Sequence, residues 1–183
     1  WKFIILVQIG RPFTSNIICC SRVVRQSILQ SFFLKETETS VIYNCYNNEK
    51  FRISKRNFFN EKLTLGMVGR FEIHKDQDSL IKSIAILKEK GLDIKLILIG
   101  DGSNRKKLEV LAKKSRVLTK VEFLGARNNI NKLLEKLDIF VFSTTEDEGF
   151  GIALVEAMGK KIPIIASNVG ACNEILLGGE CGL

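Results

Sequence analysis

Apolar positions along this chain follow two regimes separated by a polar, basic connector. In the first, residues 1 to 14 are apolar around a Gly10-Arg11-Pro12 break, a run too short to separate strand from helix. Asn16 to Cys20 then reads as a buried strand, and Ser21 stands where a cap is needed for a helix running through Val23, Val24 and Ile28 to about Phe32. A polar stretch from Lys35 to Ser40 leads into a short strand, Val41-Ile42-Tyr43-Asn44. Strand, helix, strand is the edge of an α/β unit. From Asn47 to Lys62 no apolar period survives, which marks a connector and a candidate domain boundary.

Beyond it the alternation becomes regular. Leu63 to Val68 predicts a strand, and Gln77 to Lys90 a helix with Leu80, Ile84 and Leu87 on its buried face and Gly91 as its stop. Ile94 to Ile99 is almost continuously apolar, as in a strand covered on both faces. Gly100-Asp101-Gly102 turns into a helix from about Ser103 to Ser115 that buries Leu108, Leu111 and Ala112. The unit repeats as a strand at Val121 to Leu124, a helix from Asn129 to Lys136 and a strand at Ile139 to Phe142. A helix opening near Phe150, with Ile152, Leu154 and Val155 buried, and a strand at Ile162 to Ala166 complete it. Strands alternating with helices of this length predict a Rossmann-like, doubly wound parallel sheet, whose ligands sit beyond the carboxyl ends of the strands. That rule selects the loops at Gly69 to Lys75, Gly100 to Ser103, Gly125 to Asn128 and Ser143 to Gly151.

Composition narrows the classes. With 45% apolar and 26% charged residues in 183, the chain is an ordinary globular one with enough material for one good core. A net charge of +8 favours anionic partners, yet no basic stripe interleaved with aromatic residues supports nucleic acid. Five scattered cysteines without Cys-x-x-Cys spacing point to idle thiols in a reducing compartment. No apolar run approaches the ~20 residues of a membrane span. The first residue is Trp1 and the last are Gly182-Leu183, just where a further strand is expected, so the chain reads as a fragment.

The ligand-side loops carry the candidate chemistry. Glu148-Gly149-Phe150-Gly151 opens a helix that reaches Glu156. Backbone N–H groups and the positive dipole end suit an anion there, with a carboxylate on either side for hydroxyl groups. A sugar attached to a diphosphate has that pattern. Arg70 offers a planar fork of donors for phosphate oxygens and Lys75 a mobile point charge, although cations on a basic protein are commonly only solvated. The sole histidine, His74, excludes a Ser-His-Asp relay and reads as a bystander. Asp76-Gln77-Asp78 and Glu146-Asp147-Glu148 resemble metal-holding acidic pairs, but the first suits a helix start and the second lacks further oxygen ligands. Gly100-Asp101-Gly102 has Arg105 where a G-x-G-x-x-G fingerprint needs its third glycine, and a tight turn accounts for these glycines.

In combination the residues resemble the carboxyl-terminal domain of retaining glycosyltransferases of the GT-B fold, most closely glycosyltransferase family 4 (group 1). The matching pieces are Gly69-Arg70 with Lys75, Gly100-Asp101-Gly102, Val121 to Gly125, Glu148 to Gly151 through Glu156-Ala157-Met158, and Pro163 to Ala166. Cys20-Ser21 and Val41 to Asn44 resemble the end of the family's amino-terminal domain. The resemblance implies a tail of the acceptor domain over residues 1–50, a linker over 51–61 and a nucleotide-sugar-binding domain over 62–183, truncated at its end.

It also implies the roles. Glu148, Arg70 and Lys75 form the catalytic set, the two cations neutralising the departing diphosphate without a metal or other cofactor. Gly69, Gly125, Arg127, Gly149, Phe150, Gly151 and Glu156 complete the donor site, with Glu156 on the ribose and the loop from Gly125 near the base. The donor is a UDP- or GDP-linked sugar and the acceptor a glycan or lipid-linked oligosaccharide, met in the cytoplasm or peripherally at the inner face of a membrane. The chain departs from the family pattern at Gly159-Lys160-Lys161, where added charge at a helix end is expected to matter little. Without the acceptor domain the fragment is expected to bind nucleotide and transfer nothing. The alternative is a non-catalytic or degenerate nucleotide-sugar-binding module.

Overall fold

The computed structural model describes residues 13–32, 34–45 and 63–183; the apolar opening run and the connector lie outside the described residues. Strand β1 (Ile17–Cys19), helix α1 (Arg22–Phe32) and strand β2 (Thr39–Val41) form a small unit in which β1 and β2 pair in parallel, Ile17 opposite Thr39. Ser21 caps α1 as expected, its Oγ accepting the Val24 N–H at 3.1 Å. The second strand begins two residues earlier than the apolar pattern predicts and ends at Val41. Thr39 is buried and paired, whereas Ile42 and Tyr43 stand exposed.

The remainder is one five-stranded parallel sheet in the order β5-β4-β3-β6-β7. Its strands are β3 (Leu63–Val68), β4 (Ile94–Ile99), β5 (Val121–Gly125), β6 (Ile139–Phe142) and β7 (Ile164–Ala166). Between and after them run α2 (Gln77–Glu89), α3 (Arg105–Lys114), α4 (Ile130–Leu134), α5 (Ile152–Gly159) and α6 (Gly170–Ile175). The order steps one way from β3 to β5 and the other way from β3 to β7. Right-handed crossovers therefore place α2 and α3 on one face and α5 on the other. The apolar run of β4 is buried throughout Leu96 to Ile99, as a covered strand should be, and a single core joins both faces.

Several boundaries shift for identifiable reasons. Helix α2 buries Ile81 and Ile84 most deeply, with Leu80 and Leu87 at the edge. Helix α5 starts at Ile152 rather than near Phe150, because Gly151 adopts φ 88°, outside the helical region and suited to a residue without Cβ. Its buried face is Ala153, Leu154 and Ala157, while Ile152 is exposed. Helix α4 is only five residues long. The pattern carries no forecast of α6, six residues with too little length for a period to show. At Gly159-Lys160-Lys161, Lys160 is buried and its Nζ pairs with Glu135 at 2.6 Å.

Candidate active site

The switch in winding direction lies between β3 and β6, and the loops leaving those two strands meet there. After β3, Phe71 is 1% exposed and packs edge-on against Phe123, which anchors the loop and leaves Arg70 exposed at the rim. The glycines of Gly100-Asp101-Gly102 have a more specific purpose than a tight turn. A Cβ on Gly100 would meet the Gly69 carbonyl oxygen at 1.9 Å, and one on Gly102 the backbone of Phe71 at 2.6 Å. Only bare backbone lets Phe71 N–H donate to the Asp101 carbonyl and Asn104 N–H to that of Phe71, both at 2.9 Å. The loop after β4 thus holds the Arg70 loop in place. Gln77, 1% exposed, adds a hydrogen bond from Nε2 to the Arg70 carbonyl at 2.9 Å.

The loop after β6 clasps the far end of the same segment. Ser143 Oγ donates to the Lys75 carbonyl at 3.0 Å, while Thr145 N–H and Thr144 Oγ both donate to the His74 carbonyl at 2.9 Å. His74 therefore matters through its backbone. These bonds bring Lys75 and Glu148 together across 73 residues of chain, their side chains 13% and 8% exposed and directly ion-paired. The ammonium also lies 5.2 Å from the centre of the Phe142 ring, and Thr144 Oγ1 is 3.4 Å from Glu148 Oε2.

The three acids of Glu146-Asp147-Glu148 diverge. Glu146 accepts the N–H of Gly170 at 3.4 Å, and only Glu148 faces the cleft. Among the described residues no three His, Cys, Asp or Glu side chains cluster in a way that could hold a metal ion.

A cleft of about 330 Å³ collects Gly69, Arg70, Lys75, Glu148, Phe150 and Glu156. A second, of about 350 Å³, shares Gly69, Arg70 and Glu156 with it and continues to Gly100, Asp101 and Arg127. Gly125 shapes the second without lining it, its φ of 74° turning the chain after β5. Gly149 sits beside Glu148 with its carbonyl turned away toward Ser21. Arg127 is exposed. Glu156 is half-buried just over one turn into α5, takes no hydrogen bond from the described residues, and has its carboxyl pushed above the usual range by burial. The Cys172 thiol, buried and beside the negative Glu148, is pushed up to about 11 and is therefore inert.

Contributions from the small β1–α1–β2 unit are not evident from the sequence pattern. Asn44 lines the first cleft, and the Tyr43 ring lies 6.2 Å from that of Phe150. Neither residue has a periodic signature. The signal available was their place in the stretch resembling the end of an amino-terminal domain.

Comparison with known proteins agrees with this architecture. The family model for glycosyl transferases group 1 matches residues 48–183. An uncharacterized glycosyltransferase of Methanocaldococcus jannaschii is 32% identical over 174 residues, covering 93% of this chain and 45% of the relative. The capsular polysaccharide biosynthesis glycosyltransferase CapM of Staphylococcus aureus is 26% identical over 200 residues, 97% of this chain and 50% of CapM. Among solved structures, Anabaena HepE in complex with UDP-glucose superposes with a TM-score of 0.81 at 25% identity, over 93% of this chain and 50% of HepE. The chain spans about half the length of these proteins. It carries the GT-B half-fold with the family's match over most of its length, and it belongs to the group 1 glycosyltransferases.

Proposed function

We propose that this chain supplies the donor side of a retaining glycosyltransferase, which moves a sugar from a nucleoside diphosphate to a glycan or lipid-linked acceptor without a metal. The observation that carries the reading is the convergence of Arg70, Lys75, Glu148 and Glu156 on adjoining clefts at the switch point of the sheet. When the bond between the anomeric carbon and the phosphate oxygen breaks, negative charge grows on the diphosphate. Lys75 and Arg70 are the cations placed to meet it. Glu148 then accepts hydrogen bonds from sugar hydroxyls. Glu156, lacking a partner among the described residues, is satisfied by ribose hydroxyls, and the cleft beside Arg127 takes the base. Of UDP and GDP the HepE complex favours UDP, because that protein of the same fold holds UDP-glucose.

The same proposal divides the chain into an acceptor-domain tail over 1–50, a linker over 51–61 and a donor domain over 62–183. Titration calorimetry of the full-length protein with UDP, GDP and UDP-glucose tests it. Binding of a nucleoside diphosphate with affinity unchanged by EDTA is expected, and failure of all three to bind would sink the donor-site reading.

Location at an anionic membrane face belongs to this proposal too. Between Arg105 and Lys120 the chain carries seven cations against one acid, most of the net charge of +8. Among the described residues no helix is long and apolar enough to cross a membrane. A protein that fails to sediment with phosphatidylglycerol vesicles at low salt would remove this part.

A further inference from the structure

The donor loop is held from outside its own domain. Ser21, 1% exposed at the start of α1, donates from Oγ to the Gly149 carbonyl at 2.6 Å while accepting the Val24 N–H at 3.1 Å. A hydroxyl can do both at once, which an alanine or an ionised carboxylate cannot. A peptide unit is planar and trans, so its carbonyl and N–H point opposite ways. With the Gly149 oxygen turned to Ser21, the Phe150 N–H is turned toward Glu148, 3.5 Å from Oε1, inside the cleft. Glycine at 149 gives this plane little resistance to rotation on that side.

A second clamp holds the same two bodies together. The Glu174 carboxylate on α6 accepts Arg22 N–H at 2.9 and 3.0 Å, Val23 N–H at 3.4 Å and the Tyr43 hydroxyl at 2.6 Å. It thereby caps α1 from across the junction. Gly170, at the start of α6, packs against Val23, where a Cβ would meet the valine at 2.9 Å.

We propose that Ser21 is a positioning residue: its hydroxyl fixes the Gly149–Phe150 peptide plane so that an amide faces Glu148 and the donor, making donor-site geometry depend on the docked amino-terminal unit. The inference rests on the proposed donor site. It adds that the amino-terminal unit, besides lining the cleft with Asn44, acts on the bound nucleotide-sugar through the Ser21 hydroxyl, which does not itself line the cleft; the Cys20 thiol makes only a longer contact, 3.7 Å, to the same carbonyl.

The test uses the full-length protein with Ser21→Ala, Ser21→Thr and Ser21→Asp. Ser21→Asp keeps the acceptor that caps α1 and loses the donor to Gly149. Ser21→Ala and Ser21→Asp are expected to lower kcat about 10- to 100-fold, the scale of a small misplacement at a reacting centre, with nucleoside diphosphate affinity changed less than about threefold. Ser21→Thr restores kcat. Wild-type kcat in Ser21→Asp would overturn the proposal by assigning the residue to capping alone.

A readout independent of turnover is the amide of Phe150 after selective ¹⁵N-phenylalanine labelling. Its resonance should move and its exchange quicken about tenfold or more in Ser21→Asp, with Ser21→Thr like wild type; an unchanged Phe150 amide would equally overturn the proposal. If the wild-type protein neither binds nor turns over a nucleotide-sugar, the donor-site reading fails, and the Phe150 amide still decides whether Ser21 orients the loop.

Discussion

The two clefts that meet at Arg70 and Glu156 differ in how much of their charge is already compensated. Near β6, Glu148 and Lys75 satisfy each other in a buried pair, backed by Phe142 and Thr144. Toward β5, Glu156 has no partner among the described residues, and Arg70 and Arg127 are exposed. The first arrangement is complete without a ligand, and under the function proposed above it must be divided when one binds, since the same two groups would serve sugar and phosphate. The second leaves a half-buried carboxyl uncompensated in the empty protein, which on the same proposal a ligand's hydroxyls and phosphates would relieve. On that proposal, one side of the donor site is preorganised and the other would be completed by what it binds.

Breaking the preorganised side should have the largest effect. Lys75→Met leaves Glu148 buried and unpaired and should cost about 3 kcal/mol of stability, whereas adding Glu148→Leu should recover much of it. Both variants should lose transfer in the full-length enzyme. Urea denaturation of the single and double variants measures the coupling, and a single variant as stable as wild type would contradict a buried pair. Next in size, Arg70→Ala should weaken nucleoside diphosphate binding by about 1.5 to 3 kcal/mol with little change in Tm, as expected for an exposed side chain whose partner is the ligand. Equal calorimetric affinities would remove Arg70 from the diphosphate.

The smallest effect is at Glu156, which lines both clefts, and it has opposite signs for stability and for binding. Its carboxyl ionises less readily in the folded protein than in the unfolded chain. As pH rises above the usual glutamate range the unfolded chain sheds that proton first, so the contribution of neutral Glu156 is full below that range and is lost as pH climbs through the folded value. Glu156→Gln should therefore raise Tm near neutral pH, with the gain vanishing at acid pH, and weaken nucleotide binding by about 1 kcal/mol. A Tm difference that does not change with pH would show that burial of the charge is not the cause.

Much of this was legible in local pattern. The strands from Leu63 to Phe142 match the structure closely, because a covered parallel strand needs a continuous apolar run and little else. The four ligand-side loops were identifiable because strand order and crossover hand leave few alternatives. Helix ends were less legible. The mouth of α5 moved two residues because Gly151 takes a left-handed φ, and Ile152 faces the cleft where a simple apolar count buries it.

Taken alone, the sequence determined the alternation of strands and helices, the acid followed by two glycines before α5 and the cations after β3, since each depends on residues within one or two turns of each other. The tertiary structure decided the rest: that Lys75 neutralises Glu148, that Gly100 and Gly102 exist to let two loops touch, that Lys160 is buried against Glu135, and that Ser21 reaches Gly149. Those contacts join residues 25 to 128 positions apart. No periodicity records them, because only the closing of the sheet and its packed helices brings the partners within hydrogen-bonding distance.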